Sequence, residues 1–251
     1  MGWVLVADRP MSDRQFDLGI DTASDDASLA LFALDGPEPL AVKRFRPEVT
    51  MSRELLGVLA EFLADAGVDR TEIARIAVTT GPGQYGPLRT GIAVAQGMAL
   101  ALEVPLAGVG RLEADASLVA PEGVATVVAV HDTRTGPAWA AYEVEDGLPR
   151  QVVAPSVSPV EEAVERAPRP ATWTGEVSDG LREALRVRDA RPRDAEGEAG
   201  DTITPVSQTS QTPRAVAIVR IARARGAFGD PAAVDAVYLR PPPITPPKPR
   251  M

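Results

Sequence analysis

Residues 73–109 constrain what this chain can fold into more than any other stretch. They read as a strand (Ile73 to Thr79), a glycine- and proline-rich turn, a helix (Leu88 to Leu102) and a second strand (Val104 to Val109). The first strand is rich in branched apolar residues, as suits a strand buried on both faces. Gly81, Pro82, Gly83 and Gly86 read as a structural turn, and Pro87 is expected to keep its predecessor extended and delay the helix. From Thr90 to Leu102 the only polar side chains are Thr90 and Gln96. Gly91, Ala93, Ala95, Gly97, Ala99 and Ala101 keep the helix slim. A helix lying on its own sheet keeps one wet face, and this one has none. It requires cover on a second side, from its own chain or from a partner.

Gly81, Gly83 and Gly86 also spell the dinucleotide fingerprint G-x-G-x-x-G. That fingerprint needs an acidic residue at the end of the next strand, whereas Glu103 precedes it. Pro82 and Pro87 further remove amides from a loop whose use would be to donate them. The turn is therefore read as structural.

A length of 251 residues with 45% hydrophobic content suffices for one large or two small cores. A net charge of −9 argues against gripping nucleic acid unaided, because such affinity comes from neutralising phosphates. The absence of cysteine excludes disulfides and thiolate metal sites and makes the cytoplasm the default compartment. A single histidine excludes a multi-histidine metal site within this sequence. Aromatic content of 4% disfavours a base-stacking platform, and no apolar run approaches a membrane span.

Residues 1–15 read as an N-terminal extension, with Met11 an alternative start. Phe16 to Asp21, Ala27 to Leu34 and Leu40 to Phe45 read as three strands joined by short turns. The first turn carries Asp21, Thr22 and Ser24, whose hydroxyls and amides suit a phosphate cradle. Asp25 and Asp26 place two carboxylates there with no nearby lysine, which favours an ordinary polar turn. Ser52 to Ala66 is an amphipathic helix, with Ser52 its expected cap. Its stripe of Leu55, Leu56, Leu59, Phe62 and Leu63 serves either the core or half of a bundle between subunits. The resulting order, an antiparallel meander and two crossovers, is that of an actin/sugar kinase/Hsp70-like half-domain.

Leu112 to Val119 continues as helix and Ala125 to Val130 as strand. His131, Asp132, Thr133, Arg134, Thr135 and Gly136 then form a second hairpin turn, as duplication of the half-domain requires. His131 has no nucleophile or acid at a recognised spacing and reads as packed or capping. Asp132 and Arg134 are expected to pair with each other. Beyond Pro155 the pattern loosens: helices around 160–166 and 181–185, a short strand at 171–174, an exposed charged loop at 188–201, and a helix from Pro213 to Gly226. The tail 241–251 is proline-rich and extended. The scheme is an α/β, two-lobed fold with lobes at 16–112 and, in degenerate form, 113–240.

Ile20 to Ser24 with Ser28 to Leu31, then Gly81-Pro82-Gly83 leading into Leu88 to Gly97, resembles the TsaB (YeaZ) family. Gly108-Val109 with Leu112 to Ala114, Asp132 to Gly136, and Val237 to Arg240 match that family in order. The family's turn G-P-G-S-F-T-G stands here as Gly81 to Pro87, and its His-Ser lead-in to the first helix as Met51-Ser52. The resemblance implies a non-catalytic partner of a TsaD-type transferase, joined by a TsaE-type ATPase, in making threonylcarbamoyl-adenosine beside the tRNA anticodon. TsaD carries a metal on an H-x-x-x-H pair, which this sequence lacks, so neither metal nor cofactor is expected. The resemblance also implies pairing, as a homodimer or with TsaD, through the two first-lobe helices. Leu55, Leu56, Leu59, Phe62, Arg89, Ile92, Ala93, Gln96, Gly97 and Leu100 are the interface residues expected on that basis. The alternative on the same fold is an ATP-dependent kinase or acyl-phosphate enzyme with Asp21 as its carboxylate.

Overall fold

The computed structural model describes residues 14–119, 125–189, 201–204 and 212–240. The apolar start at Trp3 to Ala7, Met11, the middle of the charged 188–201 stretch and the tail lie outside the described residues. Two five-stranded sheets carry the fold. The first contains β1 (Phe16–Asp21), β2 (Ala27–Ala33), β3 (Pro39–Phe45), β4 (Ile73–Thr79) and β5 (Leu106–Val109), in the order β3-β2-β1-β4-β5. The second contains β6 (Ala125–His131), β7 (Ala138–Glu145), β8 (Leu148–Val157), β9 (Thr172–Gly175) and β10 (Thr202–Thr204), in the order β10-β9-β6-β7-β8. In both, a three-stranded antiparallel meander is extended by two parallel strands. Read from its own meander, the second sheet repeats the first strand for strand. This is the duplicated α/β half-domain of the actin/sugar kinase/Hsp70-like fold.

Helices α1 (Met51–Asp65) and α2 (Tyr85–Leu102) supply the crossovers of the first sheet, and α4 (Val160–Arg166) and α5 (Asp179–Asp189) those of the second. Two further helices exchange places. Helix α3 (Arg111–Ser117) follows β5 in the chain but packs on β6, β7, β8 and β9. Helix α6 (Arg214–Arg225) follows β10 but packs on β1, β2, β4 and β5. Among the described residues, the first compact unit therefore takes those up to 80, 84–109 and 212–235, and the second those within 81–83, 110–211 and from 236. The expected boundary at 112 falls near the switch at Val109 and Gly110, but α6, placed by that scheme in the second lobe, belongs to the first unit.

A charged clamp docks α6. Alternation along β1 sends Leu18 and Ile20 to one face and Asp17, Gly19 and Asp21 to the other. The wholly buried Asp17 receives two hydrogen bonds from Arg75 of β4 (2.7 and 2.6 Å) and one from Arg223 of α6 (2.5 Å). Arg223 also donates to the carbonyls of Gly36 (2.5 Å) and Ala33 (2.6 Å) and stacks on Phe32. Between the clamp and the hairpin, Gly19 lets the helix come close: a Cβ there would lie 2.4 Å from the Ala215 carbonyl oxygen.

Four local expectations change. Helix α2 begins at Tyr85 rather than Leu88, so Gly86 is helical and not part of the turn. The first-turn amides of a helix have no intrahelical acceptor, so Pro87 loses nothing there, and Gly86 has no Cβ to meet the proline ring. Helix α1 is capped not by Ser52 but by Glu54, whose carboxylate accepts from the amides of Glu48, Val49 and Thr50 (2.9, 2.7 and 2.9 Å). Strand β8 was not anticipated; Pro149 and Pro155 sit on an edge strand, where missing amides are tolerated. The charged 188–201 stretch is not exposed at its ends: Arg188 is buried, bonds Asp201 and the Val164 carbonyl, and stacks on Trp173.

Replacing Asp17 by Asn removes the carboxylate that the largely buried Arg75 and Arg223 guanidinium groups share. The Asp17→Asn chain should lose about 3–5 kcal/mol of unfolding free energy, read from urea denaturation.

Candidate functional site

Helices α1 and α2 pack on one another. Leu55, Leu59 and Phe62 of α1 and Ile92 of α2 are core residues of the first unit and support the surface from beneath. The exposed members of the expected set are Leu56 (61% exposed), Arg89, Ala93, Gly97 and Leu100 (63%). Gly57, Ala60 and Ala101 are exposed on the same two helices. A Cβ at Gly97 or Gly57 would meet nothing within 4 Å, so the helix backbones themselves are accessible there. Gln96, expected at an interface, donates instead to the carbonyls of Pro231 (3.0 Å) and Val234 (2.8 Å) within the unit. The cover that the dry helix requires is thus supplied on one side by its own chain and left open on the other.

The first hairpin is chemically closed. Asp21 is buried, accepts from the Ala23 amide (3.1 Å) and faces Arg214 Nη1 (3.3 Å), which also donates to Ser24 Oγ (3.1 Å). Thr22 donates to the Pro87 carbonyl (2.8 Å), and Gly91 makes room for it: a Cβ there would lie 2.1 Å from Thr22 Oγ1. A hydrogen bond from Arg46 (2.5 Å) holds the Asp26 carboxyl below the usual carboxylate range. The cations that offset these acids come from β3's end and from α6, nearly two hundred residues away for Arg214, so a local search for a lysine could not find them.

In the second hairpin, no ion pair joins Asp132 to Arg134 among the described residues; both side chains are exposed. The turn is held instead by Thr133, which donates to the Gly136 carbonyl (2.5 Å). Beside it lies a network that sequence spacing did not reveal. Arg111, the first residue of α3 and only 1% exposed, donates to Glu176 Oε1 (2.5 Å) and lies 3.5 Å from Asp115. His131 Nδ1 lies 2.7 Å from Glu176 Oε2 and 2.9 Å from Arg111 Nη1. The Asp132 amide also donates to Glu176 (3.2 Å). Burial raises the Glu176 carboxyl, but the His131 hydrogen bond and the Arg111 charge outweigh it and hold it at about 2. Among the described residues, no three His, Asp or Glu side chains gather as a metal site would.

A family model described as "TsaD: tRNA N6-adenosine threonylcarbamoyltransferase" matches residues 47–175, just over half of the chain. The "tRNA threonylcarbamoyladenosine biosynthesis protein TsaB" of Escherichia coli is 34% identical over 128 residues, covering 50% of this chain and 54% of that protein. The structure of "YeaZ from Pseudomonas aeruginosa" aligns at a TM-score of 0.70 with 25% identity, covering 90% of this chain and all of that one. The chain belongs to the TsaD family and resembles its TsaB (YeaZ) members. A tRNA N6-adenosine threonylcarbamoyltransferase of Nitratidesulfovibrio vulgaris is 39% identical over 112 residues, covering 39% of this chain and 30% of that protein. The matches thus span about half, or less, of these two relatives' lengths. The TsaB-like segments fall at one end of each sheet: Asp21 to Ser24 ends β1, Gly81 to Gly83 follows β4, and Asp132 to Gly136 follows β6.

Because its carboxyl is depressed by folding, Glu176 contributes stability that is complete above the ordinary carboxylate range and is lost as pH falls toward about 2. Urea midpoints measured down this acid limb should fall less steeply for Glu176→Gln than for the wild type.

Proposed function

We propose that this chain is a non-catalytic scaffold and activating subunit. It pairs with a TsaD-type transferase, and through that assembly with a TsaE-type ATPase, in threonylcarbamoylation of the tRNA adenosine next to the anticodon. The observation that carries this reading is the uncovered apolar face of α1 and α2, bearing Leu56, Ala93, Gly97 and Leu100. Small residues let a second pair of helices approach closely, and Leu56 and Leu100 offer the apolar anchors such packing needs. In the absence of the transferase the same face serves a homodimer.

Three further observations support a scaffold over a catalyst. The first hairpin's carboxylate is engaged by Arg214 rather than open to a nucleophile or phosphate. The sequence's single histidine is bound into the Arg111–Glu176 network. A net charge of −9 leaves the holding of tRNA to a more basic partner. No helix among the described residues is long and apolar enough to cross a membrane, in keeping with assembly in the cytoplasm.

Size-exclusion chromatography with light scattering, on the chain alone and mixed with its TsaD-type partner, tests this reading. The wild type should form a one-to-one species with the partner. Gly97→Arg should abolish it without loss of fold, because the position opens onto empty space. Unchanged association in that variant would sink the proposed interface. Millimolar ATP should leave the thermal midpoint of the free chain where it is, whereas a clear rise would favour the kinase reading.

A further inference from the structure

Around Glu176 the relation between cation and anion is the reverse of an ordinary surface ion pair. The cationic side is interior: Arg111 is 1% exposed, its amide donates to the Gly81 carbonyl (2.7 Å), and Asp115 lies beside its Nε. The anionic side faces solvent, with the Glu176 side chain 44% exposed. Three donors from two segments converge on this one carboxylate: Arg111 Nη2 from the start of α3, and His131 Nδ1 and the Asp132 amide from the end of β6. Only the last part of Glu176 is free to leave. Its backbone is pinned by a hydrogen bond from its amide to the Val130 carbonyl (2.8 Å), just after Gly175 at φ +93°. A Cβ at Gly175 would lie 2.1 Å from that same carbonyl oxygen, so the strand end is aimed by a residue only glycine can fill. Rotation of the Glu176 side chain would vacate the donor set and leave it in place.

One donor beside the carboxylate, Arg111 Nη1, is directed at His131 and not at Glu176. His131 Nδ1 cannot donate to Glu176 and accept from Arg111 Nη1 at once. With its proton directed at Glu176, Arg111 Nη1 is left pointing at a nitrogen that cannot receive it. A third acceptor oxygen would resolve this, and a phosphate group presents three where a carboxylate presents two. The set lies at the carboxyl ends of the parallel strands β6 and β9, where open α/β sheets place their ligands.

We propose that this end of the second sheet is an anion site whose resident anion is the chain's own Glu176 carboxylate, and that a phosphate-bearing ligand enters by displacing it. Glu176 acts as a built-in competitor, occupying the outward donors of Arg111, His131 and the Asp132 amide until such a ligand arrives. The site stands on the second unit alone and is independent of any pairing through α1 and α2.

Inorganic phosphate is the probe, and His131 the reporter, since the sequence holds one histidine and its imidazole carbon–proton signals in NMR are unambiguous. In the full chain, Glu176→Ala and Glu176→Gln should bind phosphate saturably, at least about tenfold more tightly than the wild type. Acetate should bind the same variants more weakly than phosphate. Equal phosphate affinity in wild type and variants would show that Glu176 does not compete, and would overturn the proposal. Folded variants whose His131 signals never respond would overturn it as well, and acetate matching phosphate would overturn the phosphate preference. Glu176→Gln keeps the side-chain volume, so it carries the test if the alanine variant does not fold. If neither variant folds, the wild type decides: its His131 and Glu176 carboxyl signals should move together at high phosphate, and stationary signals would overturn the proposal.

Discussion

The first unit depends on a carboxylate buried in its central strand. Asp17 sits in β1 with no exposure, and an isolated charge there would be untenable. It is held by arginines from two directions, one on the neighbouring strand and one on a helix more than two hundred residues later in the chain. Removing either side would leave uncompensated charge in the interior, so the clamp ties the chain's late helix to its first strand. Apolar burial along Ala215 to Ala222 adds attraction, but it is non-directional; the arginines determine which helix register meets which strand.

The same device recurs at the strand ends. Arg214, the first residue of α6, meets Asp21 after β1; Arg111, the first residue of α3, meets His131 and Glu176 after β6 and β9. Both helices have crossed from the half of the sequence in which they arise to pack in the other unit. Duplication and exchange together thus place one arginine at the carboxyl edge of each sheet. In the first unit the arginine closes a hairpin around a buried acid. In the second it lies beneath an acid that remains half open to solvent, and this difference gives the two edges different chemistry.

Apart from these strand ends, the accessible apolar surface of interest lies on α1 and α2. The helices are slim there because Gly57, Ala60, Ala93 and Gly97 face outward, and small residues gain nothing from water yet permit close approach of another backbone. That face is apolar, with Leu56 and Leu100 projecting from it, and the proposed pairing rests on it.

Much of this was legible in the sequence because it rests on local patterns. The apolar run of β4, the unpolar stretch from Thr90 to Leu102 and the stripe from Leu55 to Leu63 identified strands, helices and the dry face directly. So did the order of the meander and its crossovers. Other local signals were present but overlooked: Asp146-Gly147, with both residues at positive φ, is a two-residue hairpin turn that announces β8. Pro87 misled because its effect depends on its place in a helix, not on its identity. Which leucines face the core and which face outward needed the packing of α1 against α2, since periodicity defines a stripe without saying what lies on its far side. The partners of Asp17, Asp21 and Glu176 could not be read at all. Pairing between residues 45 to 206 positions apart leaves no spacing signal. Only the folded arrangement, in which β1 lies beside β4, β6 beside β9, and α3 and α6 exchange sheets, brings the two members of each pair within reach.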